Sequence, residues 1–66
     1  MNDLKKSLAY ALELKDLNKA TGKVFVAGLS IYIELDNKSL YNHKYGYTVN
    51  KNEAKNVRAC SEVHYV

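Results

Sequence analysis

The sequence predicts an α+β fold, with one amphipathic N-terminal helix packed on a small antiparallel sheet in the order α-β-β-(α)-β. Three observations predict it. Apolar residues recur at helical spacing before position 18, and they alternate at period two from Lys23 to Leu35. In the stretch LYNHKYGYTV, Tyr41, His43, Tyr45, Tyr47 and Val49 alternate again. Helical and extended backbones present side chains at periods of 3.6 and 2, so a change of period marks a change of element.

The first helix is expected over about residues 3–19. Asn2 or Asp3 can cap it, and the acidic Asp3 suits the positive end of the helix dipole. Leu4, Leu8, Ala11, Leu12 and Leu14 form an apolar arc with Leu8 at its centre, while Lys5, Lys6, Glu13 and Lys15 face away. No Gly or Pro precedes position 22, and NKATG (18–22) ends the helix with Gly22 as a left-handed terminator.

Lys23 to Leu35 reads as one strand. Its odd face holds Phe25, Ala27, Leu29, Ile31, Ile33 and Leu35; its even face holds Val24, Val26, Gly28, Ser30, Tyr32 and Glu34. Gly28 suggests a bulge or a close backbone approach. Asp36-Asn37-Lys38-Ser39 is turn material, and the tyrosine-rich strand follows, so residues 23–49 read as one long hairpin. Shared odd parity then sends Tyr41, Tyr45 and Tyr47 toward the same core as Phe25 and Ile31; the alternative is that they form a contact row.

Two readings compete for the last third. Asn50 to Glu53 resembles a capping box, which favours a helix over 51–60 that buries Ala54 and Val57, followed by a strand from about 62 to 66. Against it, Val57, Ala59, Ser61, Val63 and Tyr65 alternate as a strand would. One helix covers only one face of a sheet, so Val24, Val26, Tyr32 and Leu40 are expected to form a partly apolar second face.

Size narrows the function. Sixty-six residues make a single small domain (1–66) whose own core is marginal. Cys60 is the lone cysteine, so no disulfide can form within the chain, and a homodimer or a partner protein is the expected way to bury more of a 47% hydrophobic composition. A zinc site would have to join Cys60, His43, His64 and a carboxylate, none at paired-ligand spacing, so no metal and no cofactor is expected. The apolar run after Lys5 and Lys6 is cut short by Glu13, Lys15 and Asp16, which fits neither a signal peptide nor a membrane span. A soluble, cytoplasmic protein is the expectation.

Cys60 and His64 stand four apart, as a nucleophile and base on one helix face would, but His64 falls in the expected strand with only Glu62 nearby, so no catalytic residue is assigned and the chain is read as a non-enzyme. The net charge of +3 lies wholly in the second half: residues 1–36 hold five Lys against five Asp and Glu, whereas 37–66 hold Lys38, Lys44, Lys51, Lys55 and Arg58 against Glu53 and Glu62. Such asymmetry points to an acidic partner. In size and composition the chain looks like the small single-domain products of phages and mobile elements. The expected function is a protein-binding module, an inhibitor or adaptor that occludes a partner stoichiometrically, using Tyr32, Lys44, Lys51, Lys55 and Arg58. The alternative is a small basic nucleic-acid-binding regulator that uses the tyrosine strand and the Lys/Arg rim.

Overall fold

A computed structural model describes residues 3–66. Its elements run α1 (Asp3–Asp16), β1 (Ala20–Ala27), β2 (Ser30–Leu35), β3 (Leu40–Asn42), β4 (Tyr47–Thr48), α2 (Lys51–Cys60) and β5 (Glu62–Tyr65). The five strands form one antiparallel sheet in the order β4-β3-β2-β1-β5. Neither described helix is long and apolar enough to cross a membrane. The expected α+β class holds; the hairpin expected over 23–49 is instead a four-strand meander.

The decisive difference is at Gly28. The run 23–35 is two strands joined by the two-residue turn Gly28-Leu29, with Gly28 at φ +62° in the first central position that type II′ turns reserve for glycine. Phe25 pairs Tyr32 and Val24 pairs Ile33 across it, so each pair couples an odd position to an even one. Directly paired residues share a face, and parity therefore inverts at the turn. Val24, Ile31 and Ile33 pack with Ala11 and Ala20 beneath α1, joined by Leu4, Leu8, Leu14, Val26 and Val66. Phe25, Tyr32, Leu40, Val49 and Val57 form a second core beneath α2. Each face of the sheet has its own helix, so the second face is a core and not an open patch.

α1 ends sooner than expected, and Asn2, one of its two candidate caps, lies outside the described residues. Ser7 and Ala11 are its buried positions; Leu8 is only partly buried and Leu12 is exposed. Asn18, at φ +58°, turns the chain, and the Lys19 N–H donates to the Leu14 carbonyl at 2.8 Å. Gly22 is not the terminator. It lies within β1 at an irregularity in the β1–β2 register, at φ +96°, where a Cβ would stand 3.2 Å from the Val66 carbonyl oxygen.

The capping box is half realised. Asn50 Oδ1 accepts from the Glu53 N–H at 2.8 Å, which starts α2. The Glu53 carboxylate does not return to Asn50; it accepts the hydroxyls of Tyr47 at 2.8 Å and Tyr32 at 3.3 Å, tying the helix to β4 and β2. Asn50→Ala should lower stability by about 1 kcal/mol, read as a shift in the urea midpoint at constant slope.

Candidate functional site

The tyrosine stretch is a strand for three residues only. Asn42 is buried and its Oδ1 accepts the N–H groups of Lys44 (3.0 Å) and Tyr45 (2.9 Å), while its carbonyl accepts from Gly46 at 2.7 Å. That side chain folds residues 43–46 into a turn, because a buried asparagine must satisfy its oxygen locally. Tyr41 then pairs Thr48, and Asn42 pairs Tyr47, so Tyr41 and Tyr47 lie on opposite faces. Tyr45 stands on the turn, 67% exposed, with the Lys44 Nζ 5.5 Å above its ring. The inward row of three tyrosines does not exist: Tyr41 is half-buried, while Tyr45 and Tyr47 face solvent.

His43 opens that turn and meets α1. Its Nδ1 shares a 2.6 Å hydrogen bond with Ser7 Oγ, and its ring stacks on Tyr10 at 5.0 Å and 11°. Beside this joint lies a cleft of about 240 Å³, lined by Asp3, Lys6, Ser7, Leu29, Ile31, His43 and Lys44. Ser7 is 1% exposed, and its bond to His43 joins α1 to the sheet at the wall of the cleft. Among the described residues no three His, Cys, Asp or Glu side chains come together as a metal site, and His43 and His64 are separated by the width of β2 and β1.

The five residues expected to form a partner surface do not form one patch. Tyr32 is 6% exposed, in the core beneath α2. Arg58 is committed to the fold: its Nη1 lies 2.7 Å from Glu34 Oε2, its Nη2 donates to the Lys38 carbonyl at 2.6 Å, and its guanidinium covers the Phe25 ring at 5.3 Å. Glu34 is a buried carboxylate that also accepts the Thr21 hydroxyl at 2.5 Å. Burial works to raise its pKa, but the bonds from Thr21 and Arg58 outweigh it and hold the carboxyl below its ordinary value. Anchoring that anion gives Arg58 a structural role beside its exposed surface.

Lys51 and Lys55 are exposed and four residues apart on α2, and Lys44 is exposed on the rim of the cleft. The cleft and its apolar rim at Leu29, 84% exposed, are what sequence reasoning missed. Gly28 was the one available signal, since a turn there lifts Leu29 out of the sheet. Tyr47 has its hydroxyl pKa raised, first by its bond to Glu53, which marks it as fastened. Cys60 is a free, exposed thiol at the end of α2. Compared with protein-family models, curated proteins and solved structures, the chain shows no significant match, so its functional reading rests on its own residues.

Proposed function

We propose that the protein is a small, non-enzymatic, cytoplasmic binding module that occludes a partner protein, recognising it with the surface that runs from Leu29 across the cleft to Lys44 and Tyr45. One observation carries the reading: the strongly exposed Leu29 lines a concave site with Lys6, Lys44 and Asp3, and the exposed Tyr45 adjoins it through the Lys44 ammonium. Single exposed leucines are ordinary. An exposed tyrosine beside a charged cleft is of the residue type enriched at binding hot spots, and Leu29 adds apolar area next to it. The cleft is smaller than the roughly 300–1,000 Å³ of sites that enclose small molecules, and it suits one acidic side chain offered by a protein surface.

The test is capture of a partner by tagged protein with and without nuclease, followed by titration of the purified pair. Leu29→Asp and Lys44→Glu lie on exposed positions and should leave the melting temperature within about 1–2 °C while weakening binding at least about tenfold. Unchanged affinity in both variants excludes this surface. A second reading is favoured by the Lys44–Tyr45 stack, which brings a ring and a cation together as single-strand nucleic-acid platforms do. Loss of capture after nuclease, and binding that weakens steeply with salt, would select it.

A further inference from the structure

We infer that β5 is a self-association edge: two copies join their β5 strands antiparallel about a two-fold axis at Val63, merging two five-stranded sheets into one. Among the described residues β5 ends the strand order and pairs only with β1. The Val66 N–H donates to the Gly22 carbonyl at 2.9 Å. Backbone groups alternate in direction along an antiparallel strand, so those of His64 and Glu62 turn toward β1, and those of Val63 and Tyr65 turn away from it.

Outward-facing edges are normally guarded by lysine, proline, a bulge or extreme shortness. The opposite edge, β4, is two residues long. β5 has four residues, no lysine, no proline and an unbroken register with β1. Nor do its charges repel a second copy. Glu62 and His64 share one face and a 2.8 Å contact, while Val63 and Tyr65, the latter 71% exposed, share the other.

The side chains select the register. Centring the pair on Val63 sets Glu62 opposite His64 of the second copy twice, closing a square of alternating groups on one face. On the other face Val63 meets Val63 of the second copy. Centring on His64 or on Glu62 sets like side chains opposite one another, which disfavours those registers. Such an edge buries less than the ~1,200 Å² of a standard interface, so the dimer forms at high protein concentration. It leaves Tyr45 and the cleft free near the far edge, and it stands whether or not that surface is the recognition site.

The experiment is sedimentation across a concentration series for the wild type and Val63→Pro. Proline removes an N–H that points away from β1, so the intramolecular ladder is untouched, which far-ultraviolet circular dichroism checks. Register is tested in a Cys60→Ser background by oxidising Val63→Cys and His64→Cys. Opposed residues in a hydrogen-bonded pair lie about 5.5 Å apart and can be bridged, whereas diagonal ones lie about 7–8 Å apart and cannot. The expected result is a wild-type dimer, a monomeric Val63→Pro, and covalent dimer from Val63→Cys alone. A wild type that stays monomeric at the highest attainable concentration, a dimer that survives Val63→Pro, or equal cross-linking of both cysteine variants overturns the inference. If Val63→Pro fails to fold, the cysteine pair decides.

Discussion

Arg58→Ala is expected to lower stability by about 3 kcal/mol at neutral pH, because removing the partly exposed guanidinium leaves the buried Glu34 carboxylate without its charged partner. The stranded group is Glu34, buried on β2 and bonded otherwise to Thr21. At 0.05–0.15 kcal/mol per residue a chain of this size has about 3–10 kcal/mol in all, so the variant sits near unfolding. Replacing both partners by apolar residues (Glu34→Leu with Arg58→Met) should recover most of the loss, since no charge is then left in the interior.

The pH dependence separates this from a packing effect. Glu34 has its carboxyl pKa held below the ordinary 4.5 in the fold. Its ionised form therefore stabilises the native state above about pH 4.5, and that contribution is lost as pH falls through the lowered value. Without Arg58, burial pulls the carboxyl upward. The variant's deficit should be largest at neutral pH and shrink as acid protonates Glu34. Urea midpoints of both proteins at pH 7 and near pH 3 measure it, and a deficit that is flat with pH assigns the loss to the Phe25 contact instead.

Much of the architecture was legible because local chemistry and tertiary structure agree. α1 follows from strong helix formers at helical spacing, and α2 from Asn50 accepting the Glu53 N–H. The turn at 36–39 is marked by Asp36 and Asn37, and Asn37 Oδ1 accepts from the Ser39 N–H at 3.0 Å. At Gly28-Leu29 the reversal went unread because that turn has no polar marker. Leu29 continues the alternation of the strands around it, so periodicity runs through a reversal that only Gly28 betrays.

The inversion accounts for β1, where Val24 and Val26 lie beneath α1 and Phe25 beneath α2, whereas the second helix covers the other face and the turn at 43–46 moves the tyrosines. Tyr32 was expected on the partner surface and is core. Glu34, placed on the even face, is the buried anion that claims Arg58. The cleft could not be read at all, since His43 meets Ser7 across 36 positions and no local pattern encodes the meeting. Of the residues expected on a partner surface, Lys44 lies at the cleft, while Lys51 and Lys55 are exposed on α2.

Ile33→Ala and Leu29→Ala are expected to differ by several kcal/mol although both positions lie on one parity of one unbroken alternation. Ile33 is 0% exposed between Val24 and Tyr41 in the middle of the sheet, packed under α1 with Ala11 and Ile31. Truncating it removes three carbons where neighbours on two strands and a helix cannot all close in, which places the loss at about 2–5 kcal/mol. Leu29 stands on the turn with most of its surface in water, so its truncation should change stability by no more than about 0.5 kcal/mol. Because the two side chains are isomers, their intrinsic hydrophobicity cannot explain the gap; only the reversal at Gly28 can. Paired urea titrations at equal slope measure it. Were both variants to lose more than about 2 kcal/mol, residues 23–35 would be a single strand with one buried face, and Leu29 could not anchor a partner.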